Sequence, residues 1–298
     1  MTTSFSALKS AGQKNLTALA SELEKLAKPS YDNSDSDRHW NLTVDKAENG
    51  YAIIRFLPAP QGEDLPFRRL WSHGFKGPGG WYIENSLTTL GQDDPVSKWN
   101  TELWNSGIEA NKKIVQGMGN DNPGSKRKLA YYSNIYVVKD PANPENEGKV
   151  FLFKYGAKLF AKINDLLHPQ FPGEEAVNPF DFWAGANFQL KARKVEGYRN
   201  YDKSEFDKPA PLSNDDSELE AIWARQYSLA ELVAPDKFKS YAELATRLAR
   251  VLGNAAAPAG PTAPARSEPV AAAKTYAQTA PALDDDDEDY FSKLADED

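Results

Sequence analysis

The chain contains no cysteine, which excludes disulfide bonds, thiolate metal sites and cysteine nucleophiles. It also has no apolar run near the roughly 20 residues that a membrane-spanning helix needs. Residues 1–26 lack the order of basic, apolar and small residues that marks a signal peptide. These absences predict a soluble, intracellular protein that has no membrane partner.

Catalytic motifs are missing as well. The three histidines, His39, His73 and His168, lie far apart, and none belongs to a His-Glu-x-x-His zinc pattern. The glycine-rich segment 77–80 lacks the Lys-Ser/Thr ending of a phosphate-binding loop. We therefore expect that the chain is not an enzyme, although a nuclease built on scattered carboxylates stays open at this point.

The acidic charge is concentrated at one end of the chain. Of the formal net charge of −8, residues 253–298 hold −7, from three basic and ten acidic side chains. Residues 126–203 carry 13 basic and 9 acidic side chains, a local excess of +4. The low overall isoelectric point therefore hides a basic middle region that could bind an acidic partner.

Composition divides the chain into three parts. Residues 1–37 combine an amphipathic helix predicted over 5–27, in which leucines repeat at helical spacing beside lysines, with a polar linker. Residues 38–252 have the mixed composition of a globular core. Residues 253–298 begin with an Ala/Pro-rich stretch and end in an acidic run, a composition that predicts disorder.

The core alternates short strand patterns with a few helical ones. The predicted strands are 40–44, 51–57, 67–73, 81–84, 130–139, 149–155 and 188–195, and the predicted helices are 158–167, 217–232 and 240–252. This pattern predicts an α+β fold: a small barrel or curled sheet with a helical/β subdomain.

Aromatic and basic side chains alternate between 126 and 203, where 14 aromatic residues occur. Unpaired bases stack on flat side chains while Lys and Arg follow the phosphates, so this mixture is typical of single-stranded nucleic-acid binding. The alternative is that most of these rings belong to a β core, which we expect for Phe151, Phe160 and Phe188. Tyr131 and Tyr132 are adjacent on a predicted strand and should point to opposite faces.

Several segments carry a resemblance to a known family. They include residues 40–58, His73-Gly-Phe-Lys76 and Trp81-Tyr-Ile-Glu84, and the densest is the run from Lys126-Arg-Lys128 through Asp140-Pro-Ala142 to Pro144-Glu-Asn-Glu-Gly-Lys-Val-Phe151. Gly197-Tyr-Arg-Asn-Tyr-Asp202 continues it. Over roughly 38–252 the chain resembles the single-stranded DNA-binding (helix-destabilising) proteins of T-even-like bacteriophages.

The resemblance implies an OB-fold core with a basic cleft, and cooperative binding of single-stranded DNA in replication, recombination and repair within the host cytoplasm. Together with the cation–aromatic pattern it predicts the DNA-binding residues Lys126, Arg127, Lys128, Tyr131, Tyr132, Phe153, Lys154, Arg193, Tyr198, Arg199 and Tyr201. The arm, with Lys9 and Lys14, would mediate cooperativity between neighbouring copies. The acidic tail, with Asp284, Asp285, Asp286, Asp287, Tyr290 and Phe291, would recruit phage replication and recombination proteins.

One departure from the family concerns a metal. The family holds a structural zinc with one histidine and three cysteines, and alignment on His73 puts Ser86, Val96 and Trp99 at the cysteine positions. These side chains cannot complete a tetrahedral zinc site, so we expect no metal and no cofactor. Trp99 and Trp104 are candidates to fill the vacated space.

Three other functions remain open from the sequence. One is single-stranded RNA binding with translational repression, another is the carboxylate-dependent nuclease, and the third is an adaptor whose tail is the active part.

Overall fold

A computed structural model describes residues 37–117, 123–171 and 173–253. These residues form one nine-stranded sheet and five α-helices, which confirms the α+β class. The more specific expectation of an OB-type barrel stays a prediction. Within the described part of the chain, no helix is both long and apolar enough to cross a membrane.

The sheet has a main path with two branches. Its strands are β1 His39–Trp40, β2 Gly50–Phe56, β3 Arg68–Gly77, β4 Gly80–Asn85, β5 Lys128–Lys139, β6 Val150–Tyr155, β7 Phe188–Val195, β8 Tyr198–Asn200 and β9 Glu205–Phe206. The main path runs β1-β6-β5-β2-β7-β8; β3 joins at β5 and carries β4, and β9 pairs with β7. The long strand β5 therefore contacts three neighbours and is the structural centre of the sheet.

The five helices are α1 Pro95–Asn105, α2 Glu109–Gln116, α3 Ala157–Leu167, α4 Asp216–Ala224 and α5 Tyr241–Val251. Two of them begin at strong caps. The Asp94 carboxylate accepts from the backbone N–H groups of Val96 and Ser97 at the start of α1, and Ser240 with Glu243 forms a capping box at α5.

Apolar side chains form two larger clusters. The main core joins β2, β5, β6 and β7 with α3 through residues such as Phe56, Ile135 and Phe188, all nearly inaccessible to solvent. The second core joins the β3–β4 hairpin to α1 and α5 and consists of Phe75, Tyr82, Leu87, Val96, Leu244, Leu248 and Val251. The expectation of a helical/β subdomain stays a prediction, because the β3–β4 hairpin of this second core belongs to the same nine-stranded sheet.

A buried arginine connects β2 to the loops that follow α3. Arg55 is 1% exposed, and its guanidinium donates to the backbone oxygens of Asp181 and Ala210, each at 2.9 Å. It also lies 3.4 Å from the side-chain oxygen of Asn187. One side chain thus satisfies carbonyl groups that the sheet leaves unpaired.

Two of the predicted elements are too long. The strand predicted over 40–44 ends at Trp40, since β1 pairs with β6 only at His39 and Trp40. The helix predicted over 217–232 stops at Ala224. Side chains distant in sequence occupy the backbone groups that a longer helix would use. Asn134 bonds both the N–H and the C=O of Tyr227, and Glu63 accepts from the N–H groups of Leu229 and Ala230.

Candidate nucleic-acid interface

The first half of β5 displays predicted site residues on both of its faces. Lys128 is exposed, Lys126 and Arg127 immediately before it are half-buried, and Tyr131 and Tyr132 point to opposite sides as expected. Because β5 is held between β3 and β6, these side chains are fixed relative to both neighbours.

On one face, Arg127 lies over the ring of Trp71 in β3. The guanidinium carbon is 4.1 Å from the ring centroid, close enough for a cation–π interaction. The β3–β5 register, which pairs Trp71 with Leu129, places Arg127 diagonally across from Trp71. Trp71 was missed from the sequence, although Arg68 and Arg69 just before it give the same mixture of cations and aromatic residues.

On the other face, two basic side chains and a second ring lie close to Tyr132. It pairs with Lys154 of β6, whose ammonium lies 5.9 Å from the tyrosine centroid. His39 meets the same ring edge-on at 6.0 Å. Arg68 is its partner on β3, where Glu63 accepts from the guanidinium at 3.0 Å. Tyr132 and Lys154 therefore combine a half-buried ring with an exposed positive charge.

An exposed apolar strip continues this face onto β4. Trp81 is 49% exposed and Ile83 is 64% exposed, and they pair with Lys76 and Gly74 of β3. Gly74 has no side chain, and a Cβ built there would lie 3.9 Å from the Lys128 ammonium. The strip thus borders Lys128, although neither Trp81 nor Ile83 was among the predicted DNA-binding residues.

Two predicted contact residues lie in the main core instead. Tyr131 is 4% exposed and stacks on Phe160 with centroids 3.9 Å apart. Phe153 is 5% exposed and stacks on Tyr155 at 5.4 Å. Both rings are almost fully enclosed by the core, so neither belongs to the candidate surface, which consists of Trp71, Trp81, Ile83, Lys126, Arg127, Lys128, Tyr132 and Lys154.

The remaining predicted residues lie on the β7–β8 hairpin and just after it, separated from β5 by β2 in the sheet. Tyr198 is 56% exposed, whereas Tyr201 packs partly against the main core. Arg193 is bonded to Asp202, and Arg199 donates to Glu48 at 2.8 Å.

These ion pairs shift the pKa values of Asp202 and of both arginines. The hydrogen bond from Arg193 lowers the pKa of Asp202 to about 2, so this carboxyl is ionised at neutral pH. The same bond raises the pKa of Arg193, and the bond to Glu48 raises that of Arg199. Both cations are thus compensated by acidic groups, in contrast to the exposed Lys128.

The residues aligned with the family's zinc ligands do not fit a zinc ion. The His73 Nδ1 lies 2.9 Å from the Ser125 carbonyl oxygen and its Nε2 lies 3.3 Å from the Asp94 carboxylate, so both nitrogens face acceptors. Ser86 shares a hydrogen bond with Thr88 at 3.0 Å, and Val96 is an apolar member of the second core. An imidazole facing two oxygens, a hydroxyl and an isopropyl group do not make a tetrahedral donor set.

The two tryptophans proposed to fill this region behave differently. Trp99 is half-buried and stacks on Phe75 with centroids 5.9 Å apart, at the edge of the second core. Trp104 is 42% exposed and faces Lys112 instead, 5.8 Å from its ammonium. The prediction was therefore wrong for Trp104, because its position on α1 points away from the second core.

Part of the predicted site lies outside the described residues. This holds for Lys9 and Lys14 in the arm, and for the tail residues Asp284, Asp285, Asp286, Asp287, Tyr290 and Phe291.

Comparison with known proteins identifies the family. The single-stranded DNA-binding protein of Enterobacteria phage T2 is 40% identical over 251 residues, 82% of this chain and 80% of the phage protein. The protein of the same name from Enterobacteria phage T4 is 38% identical over 250 residues, 82% of this chain and 79% of the relative. A family model described as "gp32 DNA binding protein like" matches residues 48–252. Since that match covers strands β2–β9 and all five described helices, this chain belongs to the gp32-like DNA-binding protein family.

Proposed function

We propose that the chain binds single-stranded DNA without sequence preference and covers exposed strands during phage DNA replication, recombination and repair. Family membership and the names of the relatives support this proposal. The structural observation that carries it is the pairing of a cation with a ring on each face of β5, Arg127 with Trp71 and Lys154 with Tyr132.

The chemistry of these two cation–ring pairs suits unpaired bases. A base can stack on an exposed ring face or on the flat guanidinium that covers Trp71, and every base offers a π face. Lys128 and Lys154 supply exposed ammonium groups for the phosphates. Binding of this kind needs no bond broken or formed, so the proposed role is binding without catalysis.

The β7–β8 hairpin extends the proposed path. Tyr198 provides an exposed ring, and Arg193 and Arg199 contact phosphates after exchanging Asp202 and Glu48 for them. This exchange replaces an internal carboxylate by a phosphate, so we expect each of these arginines to contribute less to affinity than Lys128.

The arm and the tail have separate roles in this proposal. The arm binds a neighbouring copy on the strand through its leucine stripe and makes coating cooperative. The acidic tail competes with DNA for the basic surface and, once displaced, presents Tyr290 and Phe291 to replication proteins.

A fluorescence titration with single-stranded oligonucleotides at several salt concentrations tests the binding. Stacking near Trp71 should quench the intrinsic emission. If about four to six phosphates are neutralised, log K should fall against log salt with a slope of roughly −3 to −4. Binding that ignores salt, or that is tighter for duplex DNA, would contradict the proposal.

Two parallel measurements address the other candidate functions. Matched poly(U) tests the RNA alternative, because tighter binding to poly(U) than to poly(dT) would favour a translational role. Labelled single strands incubated with Mg²⁺ should stay intact, and their cleavage would favour the nuclease.

A further inference from the structure

Asp94 connects three segments of the second core. Its Oδ1 accepts from the backbone N–H groups of Val96 at 2.9 Å and Ser97 at 3.0 Å, and its Oδ2 accepts from the N–H of Leu87 at 3.1 Å. The same carboxylate lies 3.3 Å from His73 Nε2 on β3, and both side chains are at most 1% exposed. One buried carboxylate thus joins β3, the 3-10 turn Leu87–Leu90 and the start of α1.

A zinc ion bound at the family's ligand positions would join the same segments as Asp94. Leu87 follows Ser86, and Val96 is itself one of the aligned cysteine positions. Burial by itself raises the pKa of Asp94, but the contact with His73 and the N–H donors of Ser97 and Leu87 together lower it to about 2. A carboxylate with this many donors is a stable ionised group inside the protein.

His73 extends the connection to the residue just before the basic run. Its Nδ1 lies 2.9 Å from the Ser125 carbonyl oxygen, to which Asn100 of α1 also donates at 2.9 Å. The Ser125 hydroxyl in turn donates to the Asn100 side-chain oxygen at 2.5 Å. Ser125 is 1% exposed, and Lys126 follows it directly.

Backbone contacts also hold residues 124–126 in place. Ser125 N–H donates to Ile114 and Lys126 N–H donates to Val115, at the end of α2. Gly124 has a φ of 72°, and a Cβ there would lie 2.5 Å from the backbone of Gln116 and Gly117, so only glycine fits. The start of β5 therefore has one position relative to α1, α2 and β3.

We propose that Asp94 takes the place of the family's zinc as the crosslink of the second core. We further propose that the network Asp94–His73–Ser125–Asn100 positions Lys126, Arg127 and Lys128 for the DNA strand. The second statement rests on the proposed function, whereas the first does not. Asp94 and Asn100 are positioning residues, since neither lies on the candidate surface.

The test uses the full chain and three variants. Asp94→Asn keeps the size of the side chain but puts an NH₂ group against an N–H donor in either amide orientation. Asn100→Ala removes one of the two donors to Ser125 and leaves Asp94 in place. Asp93→Asn is the matched control, because Asp93 is the adjacent, exposed carboxylate and contacts Lys98 at 2.7 Å.

Metal content and thermal unfolding test the crosslink. We expect less than one zinc per ten chains by elemental analysis after dialysis, and an unchanged Tm when a chelator is added. Asp94→Asn should lower Tm by about 5–10 °C, whereas Asp93→Asn should leave it unchanged. Stoichiometric zinc, melting by the chelator, or a wild-type Tm for Asp94→Asn would overturn the crosslink.

Titration with single-stranded DNA tests the positioning. At a temperature where each variant is folded by circular dichroism, Asp94→Asn and Asn100→Ala should weaken binding by about three- to tenfold. The salt slope should become shallower, because a misplaced basic run neutralises fewer phosphates. A purely structural role would change Tm and leave the slope as it was. Wild-type affinity and slope in both folded variants would overturn the positioning.

The two proposals fail in different ways. If the wild-type chain does not bind single-stranded DNA, the proposed function is wrong, and the zinc and melting results still decide the role of Asp94. If the wild-type chain binds and Asp94→Asn binds equally well, the proposed function stands and the positioning is wrong.

Discussion

Single aromatic side chains should account for much of the affinity. Trp71→Ala and Tyr132→Ala should each weaken single-stranded DNA binding by about 1–3 kcal/mol, the usual cost of losing one base–ring stack. Tyr198→Ala should do the same if the strand reaches the β7–β8 hairpin. The measurement is a fluorescence or anisotropy titration with a short oligonucleotide, which avoids contributions from cooperativity.

Tyr241→Ala is the matched control for these variants. Tyr241 is 41% exposed at the start of α5, where Lys98 lies 5.3 Å from its ring, so it is an accessible tyrosine outside the candidate surface. Its loss should leave affinity unchanged. Normal binding by both folded Trp71→Ala and Tyr132→Ala would assign these rings a packing role only.

The charge of Asp202 should limit binding at the β7–β8 hairpin. Asp202→Asn removes the carboxylate that holds Arg193, so affinity should rise by several-fold and the salt slope should steepen by about 0.7, equivalent to one more phosphate. Glu145→Gln removes the same charge from an exposed turn distant in sequence from the hairpin and should have a smaller effect. Unchanged affinity for Asp202→Asn would place the hairpin outside the DNA path.

At the scale of elements, Arg55 is the clearest test of how the loops are held to the sheet. Arg55→Ala should lower the free energy of unfolding by about 3 kcal/mol or more, because the carbonyl groups of Asp181 and Ala210 would be left buried without donors. Arg225→Ala is the control, since Arg225 is exposed and bonds only a carbonyl of its own helix among the contacts described. Urea unfolding of both variants measures the difference, and equal values would contradict this role.

The sequence predicted those elements whose signals are local. β7 is observed with its predicted ends, and α3 and α5 agree within one residue, because apolar periodicity and the Ser240 cap define them. The α4 prediction failed since Asn134 and Glu63, distant in sequence, take the backbone groups that a longer helix needs. α1 was missed, although Asp94-Pro95 is a helix-start signal.

The candidate site could be predicted only in part for a related reason. Composition identified the basic and aromatic residues of β5 and β6, but it could not tell which rings face the core. Strand alternation separated Tyr131 from Tyr132 without saying which of the two is buried. Trp71, Trp81 and Ile83 join the surface through strand pairing with β5 and within the hairpin, and such pairing is visible only in the folded chain.

At the scale of the whole molecule, the arm should control clustering on DNA. A protein that begins at Asp37 should bind a short oligonucleotide with normal affinity and should coat long strands without forming clusters. The physical reason is that the leucine stripe predicted in residues 5–27 needs an apolar partner, which a neighbouring copy can supply. Electron microscopy of partly covered strands measures this, and unchanged clustering would contradict it.

The tail should weaken DNA binding and recruit partners. Deleting residues 284–298 should raise affinity, most strongly at low salt, where unscreened carboxylates compete best with phosphates. The deletion should also abolish capture of phage replication proteins. A truncated protein with unchanged affinity and unchanged capture would leave the tail without either role.

The proposed role of Asp94 also has a consequence for the amount of zinc that the infected cell must supply. A protein that covers single strands is needed in one copy for every few nucleotides, since single-strand binding folds occupy about 4–16 nucleotides each. If each copy required zinc, the amount of working protein would depend on the metal stores of the host. Asp94 is part of the polypeptide, so every chain that is translated brings its own crosslink. If Asp94 replaces the zinc as proposed, withholding metal from the infected cell should not limit the amount of working protein.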